Sequence, residues 1–286
     1  MNNAMQLKAK INHIAKEKSI PAQLILQIYM IERFLERVSV SPYKNNFILK
    51  GGLLIGSILG FEERTTMDMD ASIKNASISE KSLREMFIQI INMPVDDDIN
   101  FEFNEIRAIH LESEYGGYRI SFFANYEKMS VPLKLDITTG DIITPKEITY
   151  MYRLMLEDRK IPILAYNLPT ILAEKLHSII SRGNQNTRLK DFYDVFILTK
   201  LQSKNIDLNT LGTAINQTFK QRNSLETLAH YEEIINVIKN DERMTKLWND
   251  YCRRYPFAHG ISFEQTCNAI TNIMSQINKT KYIIHK

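Results

Sequence analysis

Apolar positions recur at helical spacing almost from the start of the chain. After Pro21, the run AQLILQIYMIERFLERV places Leu24, Ile28, Ile31 and Leu35 on one side of a helix. Such a stripe needs a partner surface, so the first forty residues are expected to pack on the body of the protein. Ser41-Pro42 closes the segment. The pattern then changes. Residues 47–50 are a short strand candidate running into Gly51-Gly52, and an apolar helix-like turn follows to Gly60. Residues 65–73 alternate with period two, and 81–91 read as a crossover helix. Residues 99–110, 118–126 and 131–138 are extended, with Tyr115-Gly116-Gly117-Tyr118 as a hairpin turn between the first two. Helix, strand, helix and then several strands describe an α+β core built on a mixed sheet with flanking helices.

Beyond Pro145 the periodicity is helical over 147–156, 169–181, 189–201, 208–221, 225–238 and 263–277. With the boundary between 145 and 160, the chain is expected to comprise N-terminal helices (1–45), a sheet core (46–155) and a C-terminal helical domain (156–286). The last two are expected to share a cleft. No internal repeat or low-complexity tract is present.

Bulk properties exclude little. The 286 residues are 44% hydrophobic and 24% charged, ordinary for a globular protein. No apolar run is long enough for a bilayer, and the first residues lack the apolar core of a signal peptide, so no membrane partner and a cytoplasmic location are expected. Cys252 and Cys267 have no metal-ligand companions and read as structural thiols of a reducing compartment. His110, His177, His230 and His259 show no zinc-ligand spacing. A net charge of +3 neither announces nor forbids a nucleic-acid partner.

The chemistry concentrates in Thr65-Thr66-Met67-Asp68-Met69-Asp70-Ala71. On a strand, Asp68 and Asp70 project from one side and Met67 and Met69 from the other, into the core. Two carboxylates that close repel, and a divalent cation between them relieves the repulsion. Mg²⁺ suits such a pair because it takes hard oxygen ligands from one or two carboxylates plus substrate phosphates. The bland alternative is a solvated strand edge. Gly56-Ser57 stands ten residues before the pair, and Gly51-Gly52 stands earlier; either can bring backbone amides close to phosphate, and either can be a plain turn. Neither is a Walker A motif. Alternation in Lys134-Leu135-Asp136-Ile137 puts Asp136 on one face with Lys134, where a neighbouring strand would add a third carboxylate for a two-metal site. Alternatively, Asp136 pairs with Lys134 or Arg64. Arg64 is itself a candidate nucleotide contact.

In the helical half, Lys175 and Ser178 share a face that Arg182 extends. Lys175 can neutralise phosphate charge, or simply pair with Asp191. Asp191 and Asp194 share a helix face, either as dipole partners or to orient Lys175, and Arg188 is a candidate phosphate contact. Arg253-Arg254 near Trp248, Tyr251 and Tyr255 is either an RNA grip or a core cluster.

Three runs, LKGGLLIGSILGFEERTTMDMDASI, VPLKLDITTGDIITP and ILAEKLHSIISRGNQNTRLKDFYDVFIL, spanning residues 49–198, together resemble the AbiEii/AbiGii toxin family of nucleotidyltransferases. The resemblance implies a polymerase-β-like core followed by a helical domain. It implies Gly56 and Ser57 in the glycine-serine element, and Asp68, Asp70 and Asp136 as carboxylates for Mg²⁺, two ions in all, with a nucleoside triphosphate as substrate. Lys175 matches the third-motif lysine and Asp191 the fourth-motif aspartate, with Asp194 as the other choice. It further implies an RNA acceptor, in some relatives the 3′ end of transfer RNA, and a winged-helix antitoxin of the AbiEi type encoded beside the toxin. A protein hydroxyl as acceptor, and a nucleotide-binding module without turnover, are the rival readings.

Overall fold

The protein is described by a computed structural model over residues 4–75, 79–109 and 116–279. Its elements run α1 (Ala4–Lys18), α2 (Ala22–Val40), β1 (Phe47–Lys50), α3 (Gly51–Leu59), β2 (Met69–Ile73), α4 (Glu80–Ile91), β3 (Asn100–Ile109), β4 (Gly117–Tyr126) and β5 (Met129–Thr138). They continue with β6 (Ile148–Arg153), β7 (Lys160–Ala165), α5 (Leu168–Arg182), α6 (Leu189–Leu201), α7 (Leu208–Gln221), α8 (Leu225–Ala229), α9 (Tyr231–Lys239), α10 (Glu242–Arg254) and α11 (Phe263–Lys279). Two compact units result: Met1–Asp141 with Glu147–Ala165, and Ile142–Lys146 with Tyr166–Lys286.

The first unit is a seven-stranded mixed sheet in the order β3-β4-β5-β2-β1-β7-β6. The pairs β5–β2 and β2–β1 are parallel and antiparallel respectively, and β1–β7 is parallel. One face of the sheet is apolar because strand residues alternate: Met69, Ala71, Leu133, Leu135, Ile137, Ile120 and Phe122 are all buried. Against that face lie α2 and α4, and Phe34 of α2 touches Phe47, Phe87, Phe101 and Phe122 from four other elements. Fully buried aromatics of this kind contribute most of the apolar area that holds helix to sheet. Arg37 of α2 adds a buried bidentate bond to Asp97, with distances of 2.6 and 2.8 Å, and also donates to the Ile99 carbonyl.

The expected mixed sheet with flanking helices followed by a helical region is what the chain forms. Two local expectations fail. Residues 147–156, read as helical, hold strand β6, whose β-branched and aromatic run ITYMYR pairs antiparallel with β7. The helix expected over 225–238 is broken at His230 into α8 and α9. The expected hairpin turn begins at Tyr115, outside the described residues together with His110.

The second unit is helical. Asn167 caps α5 by accepting from the Thr170 amide at 2.8 Å, and its side-chain amide donates to the carbonyls of Thr144 and Lys146, which fastens the 142–146 segment to this unit. Asp207 and Asp241 cap α7 and α10 in the same way. No described helix is long and apolar enough to cross a membrane.

Candidate active site

Strand register assembles the polar face of the sheet. Directly paired residues on adjacent strands share a face, and one row crosses four strands: Lys50 on β1 opposes Asp70 on β2, Asp70 opposes Asp136 on β5, and Asp136 opposes Arg119 on β4. Asp70 and Asp136 therefore stand side by side on parallel strands, as alternation within each run requires. Asp68 sits just before β2 rather than within it. Its amide donates to Thr66 Oγ1 at 3.2 Å in a tight turn, and its side chain is exposed. The expectation that Met67 enters the core fails for the same reason: outside the strand no pleat turns it inward, and it is 56% exposed. Met69, inside β2, is buried as expected.

Beside this row the chain makes a sharp exit from β1 into α3. Gly51 has φ +70°, and a Cβ there would lie 2.0 Å from Asp70 Oδ2, so the carboxylate fills the space a side chain would need. The first turn of α3 has no side-chain cap and no acidic residue, which leaves its amides without the side-chain oxygen acceptor that caps α4, α5, α7 and α10. Gly51-Gly52 is thus at the helix N-terminus. Gly56 and Ser57 are not: both lie in the body of α3, where the Ser57 hydroxyl donates to the Leu54 carbonyl at 2.8 Å and Gly56 makes room for Phe61 and the Arg64 carbonyl. Amides so deep in a helix are already bonded to the preceding turn, so of the two pairs it is Gly51-Gly52 whose amides stand at the helix start. Arg64 is buried, donates to the Thr65 carbonyl, and lies close to Gly52.

Asp136 is paired with neither Lys134 nor Arg64. Arg119, which the sequence reading did not single out, donates to both its oxygens, Nε to Oδ1 and Nη2 to Oδ2, each at 2.7 Å. That hydrogen bond, followed by the charges of Asp136, Asp68 and Asp70, raises the Arg119 pKa above its ordinary value. All three carboxylates therefore act on one guanidinium. Arg119 was findable: a two-residue turn at Glu127-Lys128 pairs Tyr126 with Met129, and counting back along the hairpin brings residue 119 opposite 136. On the other flank, Lys50 bonds Asp141 at 2.7 Å, and the Thr138 hydroxyl donates to the same oxygen.

The donor set fits a hard divalent cation in its chemistry: carboxylates at the edge of an uncapped helix start. Among the described residues no three His, Cys, Asp or Glu side chains are already disposed as a ligand set, in keeping with Asp136 being turned onto Arg119.

The second unit holds its own charged cluster. Lys175 Nζ lies 2.6 Å from Asp191 Oδ1 and 3.0 Å from Asp194 Oδ2, both aspartates fully buried. Ser178 Oγ donates to Asp191 at 2.8 Å, and Arg188 Nε stands 3.2 Å from it. Burial alone would raise the Asp191 pKa; the charges of Lys175 and Arg188 and the hydrogen bonds from Lys175 and Ser178 hold it below its ordinary value. Dipole partnership is thus too small a role for these aspartates. Trp248, offered as an RNA-stacking residue, is buried with its indole N–H donated to the Ile261 carbonyl at 2.8 Å and reads as core, while Tyr251 and Tyr255 beside it are half-buried.

A family model described as nucleotidyl transferase AbiEii toxin, type IV TA system, matches residues 33–268. Among solved structures, one of a Helicobacter pylori protein assigned as a nucleotidyltransferase superposes with a TM-score of 0.51 at 14% identity, covering 92% of this chain and 99% of that one. A second, JHP933 from Helicobacter pylori, gives a TM-score of 0.49 at 14% identity, covering 88% and 90%. No curated protein sequence matches the chain.

Proposed function

The chain belongs to the AbiEii nucleotidyl transferase toxin family of type IV toxin–antitoxin systems, and from that premise we propose that it transfers a nucleoside monophosphate from a nucleoside triphosphate to the 3′ hydroxyl of RNA, at the acceptor end of transfer RNA. The resemblance carried by the three motif runs extends over residues 33–268. The family brings with it a triphosphate substrate and a cognate antitoxin; that this antitoxin is a winged-helix protein of the AbiEi type is part of the proposal, as is a cytoplasmic site of action.

The observation that carries the reading is the in-register placement of Asp70 beside Asp136, against the uncapped start of α3 at Gly51-Gly52. Amides of a first helical turn donate to phosphate oxygens, and the helix dipole favours the anion. Asp68, Asp70 and Asp136 would hold Mg²⁺, which when bound supplies positive charge to the triphosphate and to the departing pyrophosphate. The α3 amides and Arg64 bind and orient the triphosphate. Asp136, once released from Arg119, would with the bound cation raise the nucleophilicity of the attacking hydroxyl, whose proton passes to solvent. The O3′–Pα bond forms as the Pα–O bond to pyrophosphate breaks, and the bonding pair leaves with pyrophosphate. The resemblance assigns Lys175, with Asp191, a charge-neutralising part, and Arg188 and Asp194 support that cluster within their own unit.

Incubation of the full chain with each labelled triphosphate and total transfer RNA, with and without Mg²⁺, tests the proposal. Transfer is expected to the RNA 3′ end, and Asp70→Asn is expected to lower it by about two to three orders of magnitude, as loss of a main electrostatic group does. Undiminished labelling by Asp70→Asn sinks the site assignment; label appearing on protein instead of RNA sinks the acceptor.

A further inference from the structure

Arg119 is an unusual occupant of a row meant for a cation. A planar guanidinium bonded through two N–H groups to both oxygens of one carboxylate is the strongest pairing an arginine makes, and Asp136 is engaged in that way. A divalent cation that takes an Asp136 oxygen at close range must break at least one of these bonds and must tolerate a positive charge a few ångströms away. The two cations therefore compete for Asp136.

The surroundings fit an exchange rather than a permanent tie. The Arg119 side chain is 43% exposed, so it can move into solvent without opening the core. The contrast is Lys175, whose partners are fully buried and which cannot leave without stranding them. Asp68 and Asp70 also bear on the Arg119 charge, so the guanidinium sits in the field of the whole carboxylate set and not of Asp136 alone. In the cation-free chain this arrangement balances carboxylates that would otherwise repel across β2 and β5.

We propose that Arg119 is a built-in counter-cation that competes with a divalent cation for Asp136, so that loading the site exchanges a guanidinium for a metal ion. The inference rests on the nucleotidyltransferase reading above and adds a positioning residue to it: Arg119 sets the affinity and the order of metal loading at Asp136. Arg119→Gln removes the competing charge and keeps a shorter polar side chain; Arg119→Lys keeps the charge and loses the two-pronged bond.

The test is calorimetric titration of the full chain with Mn²⁺ alone, without nucleotide or RNA, alongside circular dichroism to establish that each variant is folded. Arg119→Gln is expected to bind Mn²⁺ roughly tenfold more tightly than wild type, the scale of removing one nearby unit charge at a partly exposed site. Arg119→Lys should fall between the two, and it decides the matter if Arg119→Gln does not fold. Adding Asp136→Asn to Arg119→Gln should erase the gain. Wild-type binding that is abolished by Asp70→Asn but unchanged or weakened by Arg119→Gln overturns the counter-cation role and leaves the carboxylate site standing. Absence of Mn²⁺ binding in both wild type and Arg119→Gln overturns both.

Discussion

A side chain at Gly51 and the carboxylate of Asp70 would need the same space, since a Cβ there would come within 2.0 Å of Oδ2. The backbone at Gly51 also has φ +70°, where a β-carbon is strained whatever surrounds it. Gly51→Ala should therefore fold with a loss of about 1–3 kcal/mol and, by pushing Asp70 aside, lose most transfer activity. Gly52→Ala is the control. Its Cβ would meet Thr66 Oγ1 at 2.9 Å and Thr66 Cβ at 3.1 Å, a lesser overlap at a backbone of ordinary φ, so a milder loss is expected. Turnover and thermal melting of the two variants decide it; wild-type turnover by Gly51→Ala would refute the role given to this close approach. The sequence showed two glycine-bearing pairs and no means of choosing. The choice depends on where the helix begins and on what a neighbouring strand places against it, and both are tertiary facts.

Elements with a long helical period were legible, as was one short apolar run ended by glycines: α4, α6, α7 and β1 have the expected extents within a residue. Where the reading failed, packing overrode local pattern. Asp68 and Met67 alternate with β2 in sequence, yet β5 pairs with β2 only from Met69 onward and β1 only from Asp70, so residues 67 and 68 are left outside the strand. Strand β6 reads as a helix until β7 exists to pair with it. The α5–α6 pair carries a prediction of its own. Lys175 balances Asp191 and Asp194, neither with any solvent contact. Removing the ammonium leaves Asp191 to Arg188 and Ser178 and takes the Lys175 charge away from buried Asp194, so Lys175→Met should destabilise the protein by about 3–5 kcal/mol, measured by urea unfolding. Adding Asp194→Asn to Lys175→Met should recover part of it. An unchanged unfolding midpoint in Lys175→Met would show that the cluster is not a structural tie, and any activity lost with Lys175 would then be purely chemical. Since the two effects act through one residue, transfer assays on Lys175 variants need the stability measurement beside them.

At the scale of the whole molecule, the two units carry buried titrations of opposite sign. In the sheet unit, Glu32 lies under a network in which Arg33 bridges Glu36 and Glu157 at 3.0 and 2.8 Å and Arg159 bonds the same two carboxylates. Two cations already match two anions there, and burial pushes Glu32 up from 4.5 to about 8, against the Met155 amide and the Arg33 charge, which lower it. A raised folded-state pKa contributes stability that is complete below the unfolded value and lost as pH rises from 4.5 through 8. In the helical unit, His177 Nδ1 accepts from Arg222 at 3.0 Å, which leaves Nε2–H to donate to Ser224 Oγ at 3.0 Å, and Ser181 lies on the same nitrogen. Burial, then the charges of Arg222 and Arg182, press its pKa from 6.5 down to about 3, with Glu174 engaged by Arg222 rather than by the ring. Stability from a neutral histidine is complete above 6.5 and lost as pH falls toward 3. Glu32→Gln keeps an acceptor for the Met155 amide and carries no charge, so it should stabilise the protein at pH 8, by on the order of 1–3 kcal/mol, and progressively less as pH drops toward 5. His177→Gln should show the reverse trend, gaining on wild type as pH falls from 8 to 5. Urea denaturation of the three proteins at pH 5 and pH 8 yields two differences that must change in opposite directions with pH. Parallel or flat differences would mean that one of these groups is not buried in the protonation state its neighbours impose.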